Sequence, residues 1–307
     1  MNRWVYGLVV FAVVGGGIAA TLGDHETSVD LSAPLEVWGN VVRDVNQLGL
    51  QLTRVSDDEE MKFGDRLASA IGHEDSSDEW TRYVGAVGES LVPHVRRQGI
   101  QYTFVVIHSP AINAFAMPGG HVAVTTGLLD FAQSEAELAA VLGHEIAHVD
   151  MRHCIERYQY RMQLQKIGLE NSPVNALLDI NQWLMVSAYT KYQEIEADEQ
   201  GVRLSIQAGY DPEGGPAIMA RLAAARREPG PTRARTPVQE AGRAVSNVLG
   251  SYFASHPRSR ERSHRLTMLV ERNRRRLTGR EWYVGRENLR LKTPRSRQDF
   301  QSERRRI

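Results

Sequence analysis

With one cysteine, Cys154, in 307 residues, the chain cannot close a disulfide on itself. No cysteine follows the apolar run near its start, which excludes a lipid-modified bacterial N-terminus. Net charge is also missing, because 37 basic residues balance 37 acidic ones. The balance hides a segregation: from Glu271 onward there are 13 Lys/Arg against 5 Asp/Glu, so the remainder is net acidic. No internal repeat is visible, and no helical-repeat array is present. An uncharged stretch long enough to cross a bilayer occurs once, at residues 4–23 after Arg3.

What is present starts with that stretch. It reads as an N-terminal membrane anchor or a signal peptide with a small-residue exit at Gly17-Ile18-Ala19-Ala20. Its length exceeds a usual signal core, which favours the uncleaved anchor. Either way Arg3 stays inside and the rest of the chain is expected across the membrane. At 42% hydrophobic residues, that rest is enough for one substantial core with extensions.

The chemistry lies in residues 139–150, AAVLGHEIAHVD. Ser134 and Glu137 read as a capping box, and Ala136, Leu138, Ala139, Ala140, Val141 and Leu142 favour a helix. On that helix His144 and His148 are four apart and share a face, the spacing of two ligands to one zinc ion. Glu145 lies beside them, where a general base for an attacking water belongs. A metzincin would continue with a glycine and a third histidine. Met151 and Cys154 occupy those places, so that route is closed. A second helical pattern, residues 183–205, carries Glu194-Ile195-Glu196-Ala197-Asp198. Glu194 and Asp198 share a face, so a carboxylate ligand and an aspartate that orients a ligand histidine both become available. This is the two-helix gluzincin arrangement. The competing reading is a solvated acidic helix face.

These motifs make the chain resemble metallopeptidase family 48. The likeness runs over roughly residues 83–269, through Asn113-Ala114-Phe115-Ala116-Met117-Pro118-Gly119-Gly120, His144–His148, E-x-x-A-D at 194–198 and Ser255-His256-Pro257. The resemblance implies a zinc-dependent endopeptidase of the EC 3.4.24 type with one Zn2+ per chain. It implies His144, His148 and Glu194 as ligands, Glu145 and Asp198 as catalytic residues, and protein or peptide substrates. A single anchor places the chain near the family's periplasmic branch, BepA and LoiP. That branch implies misfolded envelope proteins as substrates and a chain anchored in the inner membrane facing the periplasm, or secreted there. There His256 would match a histidine that approaches the zinc, as a latch on the water position or as an oxyanion donor. A chaperone or scaffold retaining a latent zinc domain is the alternative function. Nucleic acid is not expected as a partner.

The expected fold is α+β, a mostly helical gluzincin domain with a small mixed sheet. Residues 24–82 form a spacer with helices near 37–50 and 57–71, and residues 83–270 form the peptidase domain. The amphipathic pattern at 80–97 predicts a helix, and alternation at 101–108 predicts a strand. Two short strands, 114–117 and 121–125, flank Pro118-Gly119-Gly120; the first is the expected edge for pairing with extended substrate. Residues between Tyr158 and Trp183 read as a lid or a plain helical hairpin, 226–236 as a loop and 238–253 as a helix. His153, five past His148 on the same helix, is expected to point away from the ligands, and Cys154 to be a packing residue. Residues 271–307 are expected as a basic tail, either solvated or presenting charge to anionic lipid or an acidic partner.

Overall fold

The computed structural model describes residues 54–71, 78–166, 189–225, 256 and 259–306. The N-terminal span, the helix at 37–50, most of the candidate lid, the loop at 226–236 and the helix at 238–253 lie outside them. Among the described residues no helix is long and apolar enough to cross a membrane.

Asp57, Asp58, Glu59 and Glu60 open α1 (Asp57–Ile71), where exposed N–H groups favour negative charge. Asp78 caps α2 (Glu79–Glu89) by accepting from the Thr81 N–H, and Tyr83, Val84 and Val87 form its buried face. The helix does not run on to Arg97. Pro93 has no N–H to continue the ladder, and 92–94 is a 3-10 turn. The sheet follows: β1 (Thr103–Ile107), β2 (Ala114–Ala116) and β3 (His121–Thr125), in the order β1-β3-β2. β3 is parallel to β1 and antiparallel to β2, so the sheet is mixed and β2 forms an edge. Gly119 and Gly120 make the turn between β2 and β3 with φ of 82° and 97°, values that suit glycine.

A short α3 (Thr126–Phe131) leads into α4 (Glu135–Asp150), in which every residue except Ala140 is buried. The Ser134 side chain accepts from the Glu137 N–H, as the capping box predicts. The reciprocal bond differs: the Glu137 carboxylate accepts from the Gln133 N–H at 2.7 Å and pairs with Arg221. Beyond α4 come α5 (His153–Lys166), α6 (Lys191–Gln207), α7 (Gly214–Ala225) and α8 (Ser259–Leu277). Thr190 and Gln193 form a complete capping box at the start of α6.

Helices α4 and α6 cross with their backbones almost touching. A Cβ on Gly143 would lie 2.7 Å from the Gly201 carbonyl oxygen, and one on Gly201 would lie 2.7 Å from the His144 nitrogen. Glycine at both positions therefore lets the two motif-bearing helices meet. Around this crossing Leu138, Leu142 and Ile146 of α4 join Val84, Val106, Val124, Leu204 and Ile218 in one core.

Residues 271–306 differ from the expected tail, because they belong to this core. β4 (Glu281–Tyr283) and β5 (Arg304–Arg306) pair antiparallel around α9 (Arg286–Leu291), and Leu277, Trp282, Tyr283 and Leu289 are buried. The carbonyls of Val284 and Gly285 accept from the Ala136 and Glu135 N–H groups, both at 3.0 Å, and so cap α4. Buried Glu135 accepts from the Tyr83 and Tyr210 hydroxyls at 3.0 Å and from the Arg295 N–H at 3.1 Å. The count of arginines hid a few large apolar side chains that determine how the segment packs. Several of those arginines pair locally, as Arg306 does with Glu281 at 2.9 Å.

Candidate metal centre

Side chains from α4 and α6 converge beside the glycine crossing. His144 Nε2 and His148 Nε2 are 3.1 Å apart, and Glu194 reaches them from α6 at 3.8 and 3.6 Å. His256 joins the group: its Nδ1 is 2.8 Å from Glu194 Oε1 and 3.2 Å from His144 Nε2. Ligand atoms of these four buried residues all lie within 4.8 Å of one another. Donors bound to a tetrahedral zinc at about 2.0–2.1 Å sit roughly 3.3 Å apart, so two imidazoles and a carboxylate at these separations fit the ion.

The charges agree with that fit. Burial pushes the His148 imidazole well below its ordinary pKa, against the pull of Glu194, so it is held neutral with a lone pair to offer. Burial alone would raise the Glu194 carboxyl. His256 and Arg262 beside it instead hold it well below the usual carboxylate range. Asp198 is likewise lowered against its burial, through Arg262 and His144. Glu145 is fully buried, and among the described residues neither of its carboxylate oxygens has a hydrogen-bond donor. His256 Nε2 stands 3.4 Å from Glu145 Oε1. A buried carboxylate without donors is costly in a closed core and is expected where a further polar group belongs.

Around these residues lies a layer that the sequence shows only in part. Asp198 Oδ1 is 3.1 Å from His144 Nδ1, the nitrogen away from the cluster, which is the contact its spacing predicts. Asp198→Asn is expected to weaken zinc affinity by roughly 10–100-fold with the fold retained, measured by competition with a chelator. Unchanged affinity would leave Asp198 as a buried partner of Arg262 with no part in holding the metal. Arg262 was not predicted. It binds Asp198 through Nε and Nη2 at 2.9 and 2.7 Å, and its Nη1 is 2.9 Å from Glu194 Oε2. It follows His256 by six residues in a stretch that also holds Arg258, Arg260 and Arg265, so no spacing singled it out. Tyr189 was missed too; its ring stacks on His148 with centroids 3.6 Å apart.

One expectation is overturned by the end of α4. The helix does not continue through Cys154. It ends at Asp150, Arg152 takes a left-handed φ of 67°, and α5 starts at His153. That break turns His153 back, so its Nδ1 lies 3.0 Å from His148 Nδ1. Cys154 is on α5, buried, with its thiol pushed up to about 12 chiefly by burial, consistent with a packing residue.

Comparison with known proteins agrees with this geometry. The model of peptidase family M48 matches residues 79–270. The chain is 30% identical over 169 residues to the mitochondrial metalloendopeptidase OMA1 of Arabidopsis thaliana, covering 54% of this chain and 31% of the relative. It is 36% identical over 156 residues to a putative beta-barrel assembly-enhancing protease of Vibrio cholerae, covering 46% of this chain and 32% of the relative. The chain thus spans about a third of the length of these relatives. With the family's model matching over more than half of its length, the chain belongs to peptidase family M48.

Proposed function

We propose that the chain hydrolyses internal peptide bonds of protein substrates, with His144, His148 and Glu194 holding one zinc ion and Glu145 as general base. The observation that carries the reading is the four-residue cluster with donorless Glu145 buried against it. When bound, zinc supplies a Lewis acid that polarises a carbonyl and makes water a stronger acid. Glu145 then takes the proton of the attacking water and returns it to the departing amine. Asp198 and Arg262 hold the two carboxylate-bearing turns of α6 against His144. Purified protein should cleave an unfolded protein substrate, stop when zinc is chelated and recover when zinc is returned. Cleavage that persists without metal would refute the proposal.

Substrate would lie along β2. Hydrogen bonds between Met117 N and His121 O, and between Thr125 N and Asn113 O, direct the odd-numbered residues toward β3. The backbone groups of Ala114 and Ala116 therefore face the other edge; Ala114 is fully buried and the Ala116 carbonyl meets the Cys154 thiol at 3.7 Å, so an extended chain would add there as a strand by displacing these contacts. We further propose misfolded envelope proteins as the substrate class and the periplasmic side of the inner membrane as the location, a reading in keeping with relatives named as beta-barrel assembly-enhancing proteases. Protease added from outside the inner membrane is expected to digest the domain, whereas protease acting from the cytoplasmic side is not. Digestion from the cytoplasmic side would overturn the localisation.

His256, fully buried among the ligand atoms, supports a resting enzyme that is latched. It also keeps open the alternative of a chaperone or scaffold with a latent peptidase. As a latch, His256→Ala raises basal proteolysis and exposes the chain to self-cleavage. As an oxyanion donor, the same change lowers the rate by roughly 10²–10³-fold. We favour the latch. Wild-type activity with unchanged metal affinity would refute both roles.

A further inference from the structure

A metal-bound histidine must keep one ring nitrogen unprotonated, and the partner of its other nitrogen decides which one. For His144 that partner is Asp198. Among the described residues no carboxylate stands in the equivalent place for His148. Its Nδ1 faces His153 Nδ1 at 3.0 Å, and His153 Nε2 stands 3.4 Å from Glu196 Oε2. His148 and His153 are buried, whereas the Glu196 side chain is about half exposed at 48%. The three groups form a line from the metal cluster to solvent.

Proton placement along this line follows from its ends. If Nε2 of His148 is to offer a lone pair, its Nδ1 carries the hydrogen and must donate. His153 Nδ1 then accepts, which leaves the hydrogen of the second ring on Nε2, facing a carboxylate oxygen. Each donor meets an acceptor, with no group in an unfavourable form. The break at Arg152 is what allows it: with φ of 67° there, His153 leaves the helical path and swings back under His148.

We propose that His153 and Glu196 are positioning residues, a Glu196–His153–His148 relay that holds His148 in the Nδ1–H tautomer and aims its Nε2 at the metal. This rests on His148 being a zinc ligand. The relay also gives Glu196 a role that Glu194 and Asp198, one helical face away, do not share.

The test uses the purified full chain, stripped of metal and titrated with Zn2+ against a competing chelator. His153→Leu removes the acceptor at similar volume and is expected to weaken zinc binding by about 10–100-fold. His153→Gln restores an acceptor for His148 and a donor for Glu196, and should recover affinity to within roughly threefold of wild type. Glu196→Ala should cost about threefold to tenfold alone and nothing further in the His153→Leu background. Wild-type affinity in His153→Leu, or equal loss in the Leu and Gln variants, would overturn the relay. If His153→Leu does not fold, Glu196→Ala decides alone, because its side chain is half exposed; unchanged affinity there is fatal. Long-range 1H–15N spectra of the zinc-loaded protein should show His153 protonated at Nε2 only, and a proton on Nδ1 would contradict the proposal. His148→Ala is run alongside. If it too binds zinc normally, the ligand assignment has failed rather than the relay.

Discussion

A Glu145→Gln chain is expected to hold zinc as tightly as the wild type while cleaving protein substrates at least roughly 10²–10⁴-fold more slowly. The two effects separate because Glu145 lies next to the ligand atoms without being one of them. The cluster is formed by His144, His148, Glu194 and His256, and the Glu145 carboxylate faces His256 Nε2 at 3.4 Å. An amide there keeps the volume and removes the base. It also takes a charge out of a fully buried position, so the variant is expected to be no less stable than the wild type. Such a chain would retain bound substrate and serve as a trap for identifying clients. Loss of zinc together with activity would make Glu145 a ligand, and full activity would remove it from the mechanism.

Glu194→Ala is expected to have the opposite signature. Zinc should fall from one ion per chain to a small fraction under the same purification, with activity lost as a consequence. Beyond the missing ligand, the change leaves Arg262 Nη1 without the carboxylate 2.9 Å away, in a site where both side chains are almost wholly buried. Arg262 keeps its two bonds to Asp198, but with one carboxylate fewer its charge beside the cluster is less well balanced, which repels a divalent cation and destabilises the fold. The melting temperature of the metal-free protein should therefore fall too, which a ligand role alone would not produce. Full zinc occupancy in Glu194→Ala would end its assignment as the third ligand. Near-total zinc loss in Glu196→Ala, in place of the modest weakening expected there, would mean the wrong carboxylate of the motif was chosen.

Much of this was legible in the sequence because the chemistry depends on spacing. Four-residue intervals on two helices fix which side chains share a face, so His144 with His148 and Glu194 with Asp198 needed no coordinates. The mixed sheet was readable from alternation and from Pro118-Gly119-Gly120, and its edge strand emerged at Ala114–Ala116. The misses share a cause: each depends on a local departure from a regular path, or on a long-range contact. A single left-handed residue, Arg152, changed His153 from a bystander into a neighbour of His148. Arg262 reaches Asp198 across 64 positions, and nothing in an arginine-rich stretch marks one arginine as buried. The expected basic tail was misjudged by its charge, although Trp282, Tyr283 and Leu289 direct it into the core and its carbonyls cap the helix that bears His144 and His148.

Zinc-edge X-ray absorption on the purified chain examines the metal centre most directly, because it reads the bound atoms themselves. The arrangement of His144, His148 and Glu194 predicts a first shell of nitrogen and oxygen at about 2.0–2.1 Å with imidazole scattering, and one imidazole fewer in His148→Ala. A sulfur shell at about 2.3 Å, which would have to come from Cys154, the one cysteine, or an imidazole count unchanged in His148→Ala, would contradict it.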